Sequence, residues 1–238
     1  LSDTQTFFAR YSKGGRAIAD RLLQISGTLN TDGSLTDTTS GYDTTKQLEV
    51  GFKYGTKDLM VNATLFDTVT EDTQAEVTSG LTFMREYEAT GLEFEGRWTA
   101  TDNIVVSGNL TWTDAEISKD VNNATLEGNT PRRQADWIWT ITPEYVTDTW
   151  SVGASLQGST EYYVQDNNDL KQDGYNLVNL FATYWVNDQF SVSLNVNNAT
   201  DEFIITESEE ESAEVGSYIR ARPLNGRTTV LSMKYMFD

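Results

Sequence analysis

The feature that most constrains this 238-residue chain is a side-chain alternation of period two that runs almost from end to end. Leu48, Val50, Phe52 and Tyr54 alternate with Glu49, Gly51 and Lys53, and Leu59, Val61, Ala63 and Leu65 alternate with Met60, Asn62 and Thr64. The pattern recurs through 92–98, 104–112, 139–145, 150–156, 178–184, 190–196 and 231–237, and an opening strand fits around Phe7–Tyr11. Successive side chains of an extended strand point to opposite faces, so each strand gains one apolar and one polar face. About ten strands follow, and helical spacing is almost absent. By parity Glu93, Glu95 and Arg97 belong to the polar face. The expected fold class is all-β, an antiparallel meander of long hairpins.

The connections alternate in length. Short turns fall near 55–58, 100–103, 146–149 and 187–189; long polar segments fall near 67–82, 113–136, 158–174 and 198–226. Every short turn therefore lies at one end of the sheet and every long connection at the other. Aromatic side chains flank the short turns on the apolar parity: Tyr54, Trp98, Tyr145 and Tyr184 before them, Trp150 and Phe190 after them. A soluble β-sandwich or solenoid with an aromatic-rich core leaves this sorting unexplained. A transmembrane β-barrel explains it. Lipid cannot hydrogen-bond the backbone, so a closed ladder is required, apolar outward and wet inward, with short turns on one side and long loops on the other. Amphipathic rings favour the membrane boundary, so the six aromatics read as a girdle. A mean hydropathy of −0.47 is compatible with this, because half of each strand and every long connection is polar.

Composition removes other classes. Asp and Glu number 36 against 17 Lys and Arg, a formal charge of −19 that repels nucleic acid. The absence of His and Cys excludes His-based triads, thiolate nucleophiles, disulfides and His metal sites. Paired carboxylates occur in no recognisable glycosidase context, and no Gly-rich phosphate loop occurs. No catalytic residue, metal or cofactor is expected. No apolar run approaches the length of a membrane helix, and no signal peptide is visible at the start, which suits a piece of a longer chain.

Several stretches resemble the C-terminal half of the TonB-dependent outer-membrane receptors. They are "FFARYSKGGRAIADR", "TTKQLEVGFKYGTKDLMVNATLFDT", "EATGLEFEGRWTATDNIVVSGNLTWTDAEI", "VNLFATYWVNDQFSVSLNVNNATDEF" and "NGRTTVLSMKYMF". The most specific local signal is the Val-x-Asn-x-x-Asp ending at Val196, Asn198 and Asp201, and the closing strand carries the terminal aromatics Tyr235 and Phe237, which the resemblance casts as an assembly signal. The family usually ends on the aromatic itself, whereas Asp238 follows here. Such barrels have about 22 strands, so residues 1–238 are expected to form the C-terminal portion of one, without the plug domain. The resemblance implies a bacterial outer-membrane transporter, not an enzyme. It implies energy-coupled uptake of a scarce nutrient, a ferric siderophore foremost, with cobalamin and oligosaccharide receptors as alternatives. The implied partners are outer-membrane lipid and lipopolysaccharide, the barrel-assembly machinery, and a TonB-ExbB-ExbD complex acting through the plug. A self-contained ten-stranded pore or adhesin and a soluble carbohydrate-binding protein are the competing readings.

Candidate ligand contacts lie near the ends of the long connections. Arg132 and Arg133 could clamp an anionic ferric chelate through their guanidinium forks. The blander alternative is that they are rim arginines that meet lipopolysaccharide phosphate or pair with Asp136. Trp137, Tyr162 and Tyr163, with Trp139, are placed either to stack on a sugar or catecholate or to form an outer girdle. Glu93, Glu95 and Arg97 face the lumen, where they contact the plug or pair across strands. The acidic run 206–214 reads as a solvated loop, with cation capture as the alternative.

Overall fold

The computed structural model describes residues 4–17, 31–32, 42–76, 81–208 and 221–237. Ten long strands make one antiparallel sheet: β1 (Gln5–Ala17), β2 (Tyr42–Gly55), β3 (Leu59–Glu76), β4 (Leu81–Thr99), β5 (Ile104–Asp120), β6 (Trp137–Val146), β7 (Trp150–Ser159), β10 (Tyr175–Trp185), β11 (Phe190–Asn197) and β14 (Thr228–Tyr235). Two small ribbons decorate the connections, β8 (Tyr162–Tyr163) with β9 (Lys171–Gln172) and β12 (Ile205–Ser208) with β13 (Ala221–Pro223). A single 3-10 turn, Ala124–Leu126, is the helical element among the described residues. In the sheet each strand pairs with its predecessor, and β1 and β14 are the two ends of the order rather than partners of each other. The self-contained ten-stranded barrel considered from the sequence is therefore not formed.

The register makes one face continuous. Following directly opposed residues across the sheet, Phe52 meets Ala63, then Phe94, Leu110, Trp139 and Gly158. Nearer the short turns on the same face, Tyr184 meets Val192 and then Met233. These side chains are open to their surroundings: Trp98 is 53% exposed, Leu231 61% and Met233 68%. The other face is polar in the same continuous way, Lys53–Asn62–Glu95–Asn109–Thr140–Gln157 forming one cross-strand row. A sheet that exposes its apolar face in bulk cannot be water-soluble through that face, and hydrocarbon is the solvent that suits it.

Glycine thins this wall where aromatic rings need room. On the polar face Phe8 is directly opposite Gly51, Phe66 opposite Gly91 and Phe181 opposite Gly153; on the apolar face Trp139 is opposite Gly158. Each ring lies where a Cβ on the facing glycine would sit. The β6–β7 ladder has a gap: it pairs at Ile141–Leu156 and resumes at Glu144–Gly153, and the two missing rungs include Pro143, which has no N–H to give.

Two expectations about loops need correction. The polar segments near 67–82 and 113–136 are not loops throughout. β3 and β4 continue the ladder outward to the pair Glu76–Leu81, and β5 runs to Asp120. A membrane crossing needs about 9–11 residues, and the 18 and 19 residues of β3 and β4 carry the hairpin well past it. Beyond the bilayer both faces meet water, so the strand loses its apolar–polar contrast and reads as a loop. Residues 18–21 of the first quoted motif, 209–214 of the acidic run, and Asp238 lie outside the described residues.

Candidate functional site

The burial that the sheet lacks is found in the long connections. Among the described residues the buried apolar side chains are Ile117, Leu126, Ala135, Tyr162, Val164 and Ile204, all at the end away from the short turns. They are the centre of a cap built by residues 121–136, 160–174, 198–208 and 221–227 over the outer ends of β4 and β5.

The cap begins with a β-bulge. Tyr87 faces Ile117 but Glu86 faces Lys119, so Ser118 is the extra residue on β5. One inserted residue reverses the side-chain parity beyond it. Asp120, which would otherwise point to the apolar side, is brought opposite Arg85 on the polar side. Arg85 Nε then donates to Asp120 Oδ2 at 2.6 Å and its Nη1 donates to Asp166 Oδ2 at 2.5 Å. Asp120 also accepts the backbone N–H groups of Asn122 and Asn123 at 2.9 and 2.8 Å, which closes the turn leading to the 3-10 segment. Both groups lie outward of the apolar band. Burial works against the Asp120 carboxylate, but the Asn123 N–H, Arg85 and the Asn122 N–H outweigh it and hold its pKa below the ordinary carboxylate value. Burial likewise opposes the Arg85 charge; the bonds to Asp120 and Tyr87 and the Asp166 charge more than restore it.

Asp166, 8% exposed, is where the connections meet. Its carboxylate accepts the Arg132 backbone N–H at 2.9 Å and lies 3.7 Å from the Arg132 guanidinium. Its carbonyl accepts from Asn129 Nδ2 at 2.9 Å. Two residues on, Asn168 exchanges bonds with Thr130 in both directions, at 2.9 and 2.8 Å. Arg133 donates its N–H to the Tyr163 carbonyl at 2.8 Å and its guanidinium pairs with Glu207 at 2.9 Å, where Arg222 also binds. Arg133 holds a left-handed backbone, φ 63°. That costs a non-glycine residue of order 1 kcal/mol and persists only where surroundings enforce it.

The structure thus places Arg132 and Arg133 at the cap, paired with Asp166 and Glu207 rather than Asp136. Tyr162 is buried, its hydroxyl donating to the Thr206 carbonyl at 3.2 Å, and burial raises its pKa. Tyr163 is half-buried beneath Lys171, 4.9 Å from its ring centroid, and Lys171 pairs with Glu161. Trp137 stays on the apolar face beside Trp112, ring centroids 6.2 Å apart. Glu93, Glu95 and Arg97 are not in the cap. Glu95 and Arg97 line a concavity of about 680 Å³ on the polar face near the short turns, with Lys53, Asn62, Asn109 and Thr142, and the Asn62 Oδ1 there is buried without a partner.

The girdle residues fall together on the apolar face at the turn end. Tyr145 stacks on Trp150 at 5.2 Å, Trp150 opposes Tyr184, and Phe190 opposes Tyr235, whose ring meets Phe237 edge-on at 4.9 Å. The Asn198 motif is a turn lock. Asn198 takes φ 49°, exchanges bonds with Glu202 through its side chain and reaches the Asn225 carbonyl, while Asp201 accepts the Arg227 N–H at 2.7 Å. The residues that sequence reasoning missed are Arg85, Asp120 and Asp166; Glu207 belongs to the acidic run read as a solvated loop, and the structure corrects that reading at 206–208, which lie in β12 with Glu207 between Arg133 and Arg222 and Ser208 buried. The run Asp166–Asn167–Asn168–Asp169 was the available signal, since Asn and Asp crowd where a connection bonds to itself and its neighbours.

A sheet apolar on one face and polar on the other, girdled at its short turns and capped at its long ones, is the wall of a membrane-spanning β-barrel. Residues 1–199 match the family described as TonB dependent receptor-like, beta-barrel, and the chain belongs to that family of bacterial outer-membrane barrels. Among solved structures it is similar to the ferric yersiniabactin uptake receptor FyuA from Yersinia pestis, at TM-score 0.80 and 19% identity over 100% of this chain and 36% of that one. It is similar to the ferric-catecholate import receptor Fiu from K12 E. coli, at TM-score 0.78 and 20% identity over 100% and 34%. It is also similar to the copper transporter OprC, at TM-score 0.74 and 18% identity over 100% and 39%. The chain spans roughly a third of the length of these proteins, and the likeness at such identity shows the fold. No curated protein matches the chain in sequence.

Proposed function

We propose that this chain is the C-terminal barrel portion of a TonB-dependent receptor, and that the whole protein imports a ferric siderophore across a bacterial outer membrane by energy-coupled transport. The observation that carries the reading is the cap, in which three connections converge to hold Arg132 and Arg133 at the outer rim. Guanidinium forks suit the anionic oxygens of a ferric chelate. Two similar structures are named for uptake of ferric complexes, which supports the same class.

In this reading ligand binds from outside, a plug supplied by another part of the protein rearranges, and TonB-ExbB-ExbD provides the work. The chain supplies wall and rim and performs no covalent chemistry, so it acts as a transporter and not as an enzyme. The apolar face meets lipid, the outer rim meets lipopolysaccharide, and the barrel-assembly machinery reads the closing aromatics Tyr235 and Phe237. The test is uptake of radioactive iron by an iron-starved strain carrying the full-length gene, presented as a ferric siderophore. We expect uptake that disappears on deletion of TonB and falls at least tenfold in the double variant Arg132→Gln/Arg133→Gln. TonB-independent leakage of the same size in wild type and variant would reject it.

A further inference from the structure

We infer that Asp166 is a positioning residue: held by Arg85 of the inner wall, its single buried carboxylate sets where Arg132 and Arg133 stand when an anionic ligand arrives. The inference rests on the proposed role of those two arginines. One oxygen of Asp166 accepts Arg85 at 2.5 Å and lies 3.7 Å from the Arg132 guanidinium; the other accepts the Arg132 backbone N–H at 2.9 Å. Backbone and side chain of Arg132 are thus referred to one point, and that point is referred to β4, the longest strand of the sheet. The next residue, Arg133, is carried in a left-handed conformation that its N–H bond to Tyr163 maintains. Tyr163 stands three residues before Asp166 on the same connection, so both arginines are placed by one segment. The Arg85 contact is short and charge-assisted, whereas the Arg132 contact is long and on a guanidinium 35% exposed. Arg85 is therefore the fixed arm of the clamp and Arg132 the more exposed arm, the one a ligand anion would reach.

A clamp that only fixes geometry predicts a particular pattern of failure. Removing its charge leaves the arginines present but unplaced, so the ligand must order them and binding weakens, while the transport step proceeds once ligand is bound. The experiment uses the full-length receptor with Asp166→Asn, Asp166→Ala, Arg85→Met and Arg85→Lys, after heat-modifiability on gels has shown that each variant reaches the membrane folded. The first readout is amide exchange of residues 129–134 in purified receptor. We expect roughly tenfold faster exchange in Asp166→Ala and Arg85→Met, with Arg85→Lys close to wild type. Unchanged exchange in both disruptive variants overturns the inference.

The second readout is uptake of two probes, a trianionic ferric tris-catecholate and a neutral ferric tris-hydroxamate. In Asp166→Asn the half-saturating concentration of the anionic probe should rise about tenfold, equivalent to about 1.4 kcal/mol, at unchanged maximal rate. The neutral probe should be indifferent. A fall in maximal rate with unchanged half-saturation, or an equal loss for both probes, overturns the inference. The Arg132→Gln/Arg133→Gln variant separates the two ideas. If it transports normally, the arginine reading falls; if it fails while Asp166→Asn is normal, the arginines stand and the positioning role falls.

Discussion

At the scale of single residues, the wall is governed by what stands opposite. Gly51 faces Phe8, and a Cβ at Gly51 would enter the Phe8 ring, with the Ala63 carbonyl 3.1 Å away on the other side. The ring is also the seat of Lys53, 5.2 Å from its centroid. Gly51→Ala should therefore destabilise by about 1–3 kcal/mol through overpacking. In a Phe8→Ala background the same change should cost much less, because the atom it strikes is gone. A double-mutant cycle read by urea unfolding from lipid vesicles should give a coupling of about 1 kcal/mol or more; strict additivity would show that the ring moves aside freely. Residue-level chemistry was partly legible beforehand. The alternation named the face of every girdle aromatic, because parity is a local property. It did not pair Arg132 with Asp166, 34 positions away, since the partner of a loop charge is set by how connections cross.

At the scale of elements, the two faces of one strand obey different solvents. Ile141 and Thr140 are neighbours on β6, the first 47% exposed on the apolar face, the second in the polar row beside Asn109 and Gln157. Arginine at Ile141 should cost about 2–4 kcal/mol near the bilayer midplane, and arginine at Thr140 well under 1 kcal/mol. Equal losses in unfolding from vesicles would contradict the assignment of faces. The bulge at Ser118 shows where element-level reading stopped. It leaves no mark on composition, yet it reverses parity and so delivers Asp120 to Arg85. That pair has a pH signature. The folded pKa of Asp120 lies below its ordinary value of about 3.9, so its contribution is complete above that value and is lost as pH falls through the lower one. Arg85 stays charged throughout, and Glu127, whose side chain accepts the Asp120 N–H, is the other carboxyl at the turn. Protease nicking within 121–136 should be slow at pH 6 and rise only as pH falls below the ordinary carboxylate value of about 3.9. Nicking that is flat across that range would show that Asp120 does not hold the turn.

At the scale of the whole molecule, stability is divided. Among the described residues the sheet contains no packed interior of its own and is held by ladder bonds, its apolar face suited to hydrocarbon; the cap has the small buried cluster around Ile117, Val164 and Ile204. The architecture was legible in advance because sorted connections and a rung-by-rung apolar face are whole-chain regularities. The cap was not, because its members come from β4, β5 and three connections, with Arg85 and Asp166 separated by 81 positions and Arg133 and Glu207, on another pair of segments, by 74. This division has a consequence for biogenesis. A slip of two residues along any seam from β4 to β10 keeps the greasy side greasy and so escapes notice by the bilayer. It displaces at least one of the pairs Arg85–Asp120, Arg85–Asp166 and Arg133–Glu207 by about 7 Å, and that guanidinium can then no longer reach its carboxylate. The cap is thus a proofreader of strand alignment: its pairs are complete only over a wall whose every intervening seam has been laid true.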